Sequence, residues 1–456
     1  MLPARLSLLA LAAAAAFPAA AQSNAELLQE LRSLRERVNE LEKKLAAQPA
    51  AAQPGQWGMT PEQAKELSRI AVKTESLQDN FTDQGFKGLK ITGQMDPSYI
   101  YNRARNNGGF VFLNREDGRY TYDNSYFGML VVDFAKETES GTLWKLTLAP
   151  ERGTGSLIKS GSIVHEASVS IPLTDLATRL WVGQIPDWTG YELTLPAGNK
   201  LITHNLLFDF MAPTAYTGAV LDIKSGKWWT RVGLANMNTA REPEGTKSPV
   251  LIYRVDYSKG EFDGFGFTGL HGKAANFAAD DASLFPDDAG KKTAINLLEF
   301  DAYFIRGDVS LFGQVSYGEQ KKAAIYHEDG TLRDARWWGL SGTAAYKFTP
   351  RLEGVVRADY INNKKNGGGL LGYTADDGIN GIGRGYLDAA TLAGDPAIGA
   401  NRYALTLGMN YRFDENSTFK LEYRYDGANQ PVFEYVKTGA FKKSNQLFGA
   451  SVVVSF

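Results

Sequence analysis

Charged side chains recur at every second position along many stretches of this 456-residue chain. The clearest stretch runs from Phe419 to Asp426, where aromatic and aliphatic residues alternate with Lys420, Glu422, Arg424 and Asp426. Strict alternation is typical of a strand whose two faces meet different surroundings. A face made wholly of charges can attract or repel ions. The chemistry to be expected of these residues is therefore selection of solutes by charge.

The composition excludes several other chemistries. The chain has no cysteine, which rules out disulfides, thiolate zinc sites, iron–sulfur clusters and a cysteine nucleophile. Four histidines leave little room for a histidine-rich metal site, and a formal net charge of −2 argues against a nucleic-acid partner. We expect no metal, no cofactor, no catalytic residues and no nucleic acid.

Three weaker motifs are rejected. Residues 264–269 carry a dinucleotide-binding glycine spacing, but they lie inside an alternating strand without the following helix that the mechanism needs. Acidic pairs such as Asp280-Asp281 lack a twelve-residue calcium loop. A barrel hydrolase of the phospholipase type stays an unfavoured alternative, since no Ser/Asp arrangement is readable around His165, which falls on a predicted lipid-facing row.

Residues 1–21 predict a secretory signal peptide. Arg5 precedes an apolar run from Leu6 to Phe17, Pro18 breaks the run, and three alanines precede Gln22. The run is shorter than the ~20 residues of a spanning helix, which makes an uncleaved anchor the lesser alternative. We expect the mature chain to be exported.

Residues 22–46 predict a short parallel coiled coil. Apolar residues recur at spacings of four and three, which is a heptad seam. The seam consists of Leu27, Leu31, Leu34, Val38, Leu41 and Leu45. In a parallel coil Arg37 would meet Glu42 of a neighbouring copy, and residues 37–42 resemble the Arg-h-x-x-h-Glu motif associated with trimeric coiled coils. The alternative is a lone amphipathic helix.

Residues 47–87 predict a linker and a short helix. Pro49 and Pro54 lie in an Ala/Gln-rich stretch that is typical of a linker. Thr60 as N-cap and Pro61 at the first helical position then predict a helix that runs to about Leu77.

Residues 88–456 predict an all-β domain, a transmembrane antiparallel barrel of about sixteen strands. Short turns, such as Arg306-Gly307 and Thr349-Pro350, alternate with long connections at 102–120, 187–214, 274–293, 320–334, 362–400 and 428–444. Regular alternation of short turns with long loops is typical of outer-membrane barrels. The second strand is predicted near 121–135 and the fourth near 161–171. An even strand count places both chain ends at the short-turn, periplasmic rim.

The last strand carries an assembly signal. Phe456 ends the chain, and apolar residues precede it at every second position. This ending resembles the signal that Gram-negative barrels present to the barrel-assembly machinery. Aromatic residues near strand ends, such as Tyr99 and Tyr411, predict interfacial girdles, although aromatics favour strands in any case.

Together these features resemble trimeric Gram-negative porins with an N-terminal periplasmic coiled coil, such as phosphate- and dicarboxylate-selective porins, and uncharacterised β-proteobacterial outer-membrane proteins of the same order. The resemblance covers essentially the whole chain. It implies a homotrimer in outer-membrane lipid that passes small hydrophilic solutes. A structural barrel spaced by its coil is the alternative.

The pore of such a barrel would be lined by the alternating charges, because sixteen strands enclose an aqueous channel. The predicted basic lining residues are Lys90, Lys145, Arg179, Arg231, Arg254, Arg357, Arg402, Arg412, Lys420 and Arg424. The acidic ones are Asp96, Glu166, Asp222, Asp256, Glu299, Asp301, Glu353, Asp359, Glu422 and Asp426. Ten charges of each sign predict weak selectivity. For any single residue, a solvated cross-strand ion pair is the alternative.

The 28-residue loop 187–214 resembles in position the porin loop that folds inward and narrows the pore. Its titratable residues are Asp187, Glu192, Lys200, His204 and Asp209. We expect them to form the constriction, facing wall residues such as Arg231 and Arg254. The alternative is an outward cap at the surface.

The coil generates the first testable prediction. Deleting Ala25–Leu45 should weaken trimers modestly and leave the barrels inserted, because roughly three heptads are marginal alone and act best on subunits that already associate. Unboiled gel migration and crosslinking of membranes would measure this. Wholly monomeric barrels without any remaining barrel–barrel contact would contradict it.

Overall fold

The computed structural model describes residues 61–83, 86–113, 127–149, 163–239, 241, 247, 249–275, 291–323, 334–363, 384–388 and 393–456. The predicted signal peptide and the predicted coiled coil, including every residue of the seam, lie outside the described residues. The chain divides into two units, Met1–Lys87 and Gly88–Phe456.

The described part of the first unit is one helix, α1, Pro61–Asp83. It is 23 residues long and extends six residues beyond the predicted end at Leu77. Its Glu66–Arg69 pair, at 3.5 Å, is solvent-exposed, and such pairs add little stability. In the described ranges, no helix is both long enough and apolar enough to cross a membrane.

The second unit is a closed antiparallel barrel, and the described residues supply sixteen strands, which confirms the predicted fold class and strand number. Two strands are split: β1 comprises Leu89–Met95 and Ser98–Asn102, and β2 comprises Asn107–Val111 and Leu130–Glu137. The other strands are β3 Leu143–Leu148, β4 Val164–Asp175, β5 Thr178–Pro186, β6 Ala215–Ser225, β7 Trp228–Met237, β8 Val250–Ser258, β9 Asp263–Ala275, β10 Lys292–Arg306, β11 Val309–Gln320, β12 Ala335–Lys347, β13 Leu352–Asn362, β14 Arg402–Arg412, β15 Ser417–Ala428 and β16 Ser444–Ser455.

The barrel closes between its first and last strands. Met95 lies opposite Val454, and the Phe456 and Gly93 backbones bond in both directions, at 3.0 and 3.2 Å. The Phe456 ring lies directly over Gly93, where a Cβ would come within 2.6 Å of it. The C-terminal phenylalanine therefore completes the seam, and the opposing strand needs a glycine there.

Side chains alternate between the two surfaces as the sequence predicts. On β12, Trp338, Leu340 and Tyr346 are exposed outward, while Ser341 and Thr343 are buried inside. This arrangement places an apolar surface towards lipid and a polar one towards the lumen.

The second strand differs from the prediction of one segment near 121–135. Residues 107–111 already pair with Ser98–Asn102 after a four-residue turn, and the strand resumes only at Leu130. The break lies beside Asp96-Pro97, where the Asp96 carboxylate accepts hydrogen bonds from Gly128 N and Met129 N, at 3.0 and 2.6 Å. This carboxylate gives the N–H groups of Gly128 and Met129 an acceptor where the ladder between the two strands is interrupted.

The fourth strand also differs, since it begins and ends later than predicted, at Val164 and Asp175. The pairing between β3 and β4 shifts by one residue next to His165. This extra residue is a bulge, and His165 is 2% exposed. The prediction that it faces lipid is therefore wrong.

The connections follow the predicted alternation of short turns and long loops except at 102–120, where a four-residue turn joins β1 to β2 in place of the predicted long connection. Short turns include 176–177, 226–227 and 307–308 at one rim, and the long loops lie at the other. Two long loops contain small hairpins, Arg384–Asp388 with Ala393–Gly399, and Phe433–Tyr435 with Ala440–Lys442.

The closed ladder predicts heat-modifiable migration. With each strand paired on both sides, detergent should not open the barrel, because unfolding exposes many backbone groups at once. Unboiled protein should therefore run differently from boiled protein on a denaturing gel. Identical migration of the two samples would count against the closed barrel.

Candidate pore constriction

The loop 187–214, hereafter the inner loop, lies inside the barrel. Its Tyr191 hydroxyl is 2.7 Å from Ser341 Oγ on β12, and Lys200 Nζ is 2.7 Å from Glu353 on β13. The Asn199 carbonyl accepts from Lys420 Nζ on β15 at 2.6 Å. These wall residues all have the lumen phase of their strands, so the loop folds inward and the outward cap is excluded.

Three charged wall residues hold the middle of the loop. Glu422 accepts from Ile202 N at 2.6 Å, from Thr203 N at 3.1 Å and from the Thr203 hydroxyl. Arg357 donates to Thr203 O at 2.6 Å, and Arg424 donates to Thr203 Oγ1 at 3.1 Å. We call this group, Ile202 and Thr203 with Glu422, Arg357 and Arg424, the latch.

A buried ion triad supports the latch. Arg357 contacts Glu192 of the loop at 2.9 Å and Asp359 of its own strand at 3.1 Å. The side chains of Arg357 and Asp359 are fully buried. Removing one partner of such a group commonly costs about 3–5 kcal/mol, because it leaves a buried charge uncompensated.

A short helix, α2, Leu206–Met211, packs the end of the loop against the wall. Asn205 caps it by accepting from Phe208 N at 2.7 Å. The buried apolar cluster around this helix consists of Leu206, Leu207, Phe210, Met211, Ala323, Ala335, Trp337, Ile361 and Ala404. The loop is thus held by polar bonds in its middle and by hydrophobic packing at its end.

Burial changes the protonation of three loop residues. It raises the pKa of Asp209 to about 8, although Arg424 opposes the shift, and it raises the pKa of Asp187 to about 6 despite bonds from Tyr216 and Thr189. It lowers the pKa of His204 to about 3. Burial therefore favours the protonated form of Asp209 and Asp187 and the neutral form of His204.

The structure places Arg231 and Arg254 beside the start of the loop, but not against its carboxylates. Arg254 donates to Trp188 O at 2.8 Å and to both Asp301 oxygens, at 2.7 and 3.0 Å. Arg231 pairs with Asp256 at 2.8 Å. The loop carboxylate that meets an arginine is Glu192, and its partner is Arg357. Arg231 and Arg254 thus border the same cavity as the start of the loop, while their ion-pair partners are carboxylates of the wall.

The other predicted lining residues are dispersed along the wall. Lys145 pairs with Glu166 at 2.7 Å, and Arg179 donates to the Ser170 hydroxyl at 2.7 Å. Arg402 pairs with Asp426 at 3.0 Å and is fully buried. Many of the predicted wall charges thus occur in ion pairs, as the alternative interpretation held.

The inner loop divides the lumen unequally. It covers β13–β15, where Arg357, Arg402 and Arg424 are fully buried. A cavity of about 740 Å³ remains beside β3–β11. A smaller one of about 280 Å³ lies near the turns of β12–β16, lined by Lys200, Lys347, Arg351, Arg412 and Lys420 with Glu353 and Glu415.

Uncharged wall side chains also contact the inner loop, and the prediction, which considered charged residues only, does not include them. Asn205 Nδ2 donates to Gln314 at 3.2 Å, and Asn410 Nδ2 donates to Lys200 O at 2.9 Å. Gln314 and Asn410 have the lumen phase, so the same alternation could have identified them. Within the described ranges, no group of three or more His, Cys, Asp or Glu side chains is arranged to hold a metal ion.

Comparison with known proteins gives a family and a fold. A family model described as "Protein of unknown function (DUF3138)" matches residues 58–456. No curated protein matches the chain. The structure is similar to OprB of Pseudomonas putida, at 11% identity and a TM-score of 0.50, covering 83% of this chain and 96% of that one.

Two further solved structures are similar to a lesser degree. The outer membrane channel DcaP of Acinetobacter baumannii has 11% identity and a TM-score of 0.49, covering 81% of this chain and 97% of that one. The anion-selective porin from Comamonas acidovorans has 10% identity and a TM-score of 0.48, covering 81% and 99%. At these identities the likeness concerns the fold alone, which is that of an outer-membrane porin barrel.

The latch predicts how the inner loop responds to mutation. Arg357→Met should loosen the loop, because Glu192 and Asp359 lose their shared cation. Trypsin should then cut folded barrels after Lys200 at least several-fold faster than in the wild type. The matched control is Arg412→Met, which removes a lumen arginine from the smaller cavity and should leave cleavage slow. Equal rates in all three proteins, with unboiled migration intact, would contradict the latch.

Proposed function

We propose that this chain, which belongs to the family described as a protein of unknown function (DUF3138), is a porin through which small hydrophilic solutes diffuse passively across the bacterial outer membrane. The observation that carries the proposal is the lumen itself. A closed barrel with an apolar exterior encloses a charged wall, and the inner loop leaves a cavity of about 740 Å³ beside it.

The inner loop is the constriction of the proposed pore. Its first quarter, Asp187 to Leu193, borders the larger cavity together with Arg231 and Arg254. Since the latch and α2 cover β13–β15, solutes would pass along β3–β11. The lining there alternates in sign, with Asp256 and Asp301 paired to the two arginines, which supports weak charge selectivity.

The subunits would form a homotrimer in outer-membrane lipid, with the N-terminal coil in the periplasm and Phe456 as the signal to the assembly machinery. The position of Phe456 at the seam supports the last point, because its backbone bonds to Gly93 of the first strand in both directions.

A structural barrel spaced by its coil is the second candidate. Complete burial of Arg357, Arg402 and Arg424 favours it, because the loop blocks that part of the lumen. Conductance in planar bilayers separates the two functions. Stepwise channel insertions support the porin, whereas folded trimers that insert without conducting support the structural role.

Replacement of the two arginines tests the constriction. Arg231→Ala with Arg254→Ala leaves Asp256 and Asp301 uncompensated, so the reversal potential in a salt gradient should shift towards cations and conductance should rise slightly. The effect acts at short range, within the ~8 Å Debye length at physiological ionic strength.

The matched control is Arg336→Ala, which removes an outward-facing, half-exposed arginine that pairs with Glu319 at 3.2 Å. It should leave the reversal potential unchanged. An unchanged potential in the double variant as well, with heat-modifiable barrels inserted, would remove Arg231 and Arg254 from the constriction.

A further inference from the structure

Three tryptophans border the larger cavity. Trp181 lies on β5, Trp229 on β7 and Trp188 on the inner loop. The rings of Trp181 and Trp188 are 6.3 Å apart, and Trp188 is 5.2 Å from the ring of Tyr216. Indole faces at such a boundary offer flat apolar surface to a solute that contains a ring.

A guanidinium group lies between two of these rings. Arg231 is 4.2 Å from the ring centre of Trp229 and 5.0 Å from that of Trp188. It is 7% exposed, and the ion pair with Asp256 fixes one of its terminal nitrogens. The stack therefore holds a positive charge rigidly at the edge of the cavity.

Two N–H groups in this stack have no acceptor. Among the described residues, Arg231 Nε and Trp188 Nε1 are buried without a hydrogen-bond partner. Buried donors are normally paired, and leaving them unpaired is destabilising. Because their side chains adjoin, one oxygen-bearing ligand could pair with both.

Several carboxylates around the cavity already accept hydrogen bonds from the wall. Asp256 accepts from both Arg231 and Arg254, Asp222 accepts from Trp229 Nε1 at 2.7 Å, and Glu166 accepts from Lys145. A sugar or other polyol needs acceptors as well as donors, whereas a carboxylate needs donors only. The two unpartnered N–H groups thus match the oxygen atoms of a carboxylate.

A second cation stands close by. Arg179 donates to the Ser170 hydroxyl and to the carbonyl of Gly141, both at 2.7 Å. No carboxylate lies within ion-pair distance of it in the described part of the chain. Its charge is therefore available to an anionic solute in the cavity.

We propose that this cavity is a binding subsite for aromatic carboxylates in transit through the pore. The carboxylate would accept hydrogen bonds from Arg231 and Trp188, and the ring would lie against the indoles of Trp181 and Trp229. The assignment rests on the proposed porin function and names the solute class that the pore favours. Both the carboxylate and the ring contribute to binding, so an aliphatic acid and an aromatic alcohol each bind more weakly than an aromatic carboxylate.

Block of the ion current tests the subsite with the wild-type protein. Benzoate, cyclohexanecarboxylate and benzyl alcohol are added separately to planar bilayers that contain the channel. Benzoate should half-block the current at a concentration about tenfold below that of the other two compounds. A tenfold ratio corresponds to a difference of about 1.4 kcal/mol in binding free energy. Equal potency of the three compounds, or no block by benzoate, would overturn the proposal.

Two substitutions locate the site. Arg231→Gln removes the charge, and Trp188→Phe removes the indole N–H but keeps a ring. Each should raise the half-blocking concentration of benzoate about tenfold, consistent with the loss of a hydrogen bond to a charged ligand. Arg412→Gln, in the smaller cavity, should leave the block as in the wild type. Block that is insensitive to Arg231→Gln and Trp188→Phe would place binding elsewhere and overturn the proposal.

A binding measurement separates the subsite from conduction. Benzoate should quench the tryptophan fluorescence of the detergent-solubilised barrel saturably, and Arg231→Gln should raise the half-saturating concentration about tenfold. If the barrel does not conduct but quenching saturates, the porin function fails while the subsite stands as a binding site. If the barrel conducts and quenching does not saturate, the subsite fails alone.

Discussion

The fold depends on the need to pair backbone N–H and C=O groups in a hydrocarbon environment where no water can bond them. A sheet satisfies this need only when it closes on itself. The seam between β1 and β16 is therefore the interaction on which the rest of the barrel depends, and Phe456 and Gly93 bond across it in both directions. The kink at Asp96-Pro97 interrupts the first strand close to this seam, and the Asp96 carboxylate bonds to Gly128 N and Met129 N there.

Closure creates a lumen whose charges are costly to bury. The ion pairs and hydrogen bonds that compensate these charges also hold the inner loop in place. Arg357 lies away from water, but it contacts Glu192, Asp359 and the carbonyl of Thr203, so its charge is compensated on several sides. The planar guanidinium suits this role because it donates in several directions from one rigid group. A single wall residue thus joins the strand and the loop, and the loop takes its position from the wall.

The resulting lumen is asymmetric, and the proposed transport follows from that asymmetry. Apolar packing around α2 and the latch fill the region of β12–β15, whereas β3–β11 border open volume. Along this open side Arg231 and Arg254 are paired with carboxylates, and Arg231 is also held by two indole rings. In the proposed pore, rigid and mostly compensated charge would give modest selection by sign. The indole rings there offer flat aromatic surface, and the unpartnered N–H groups offer hydrogen-bond donors. In the proposed subsite these features would select solutes by their shape and by the acceptors they carry.

The sequence by itself determined the barrel, its strand number and the division of side chains between two surfaces, because period-two alternation and the rhythm of the turns are local properties of the chain. It also located the inner loop and most of the lumen charges. It did not determine the partners of those charges: Glu192 meets Arg357, 165 positions away, and Arg231 and Arg254 meet Asp256 and Asp301. It placed His165 on the wrong face, because a bulge shifts the alternation by one residue without a signal in the pattern. Only the tertiary structure decides such contacts, since they depend on strand register, on the path of the loop across the lumen and on which carboxylate lies nearest after closure.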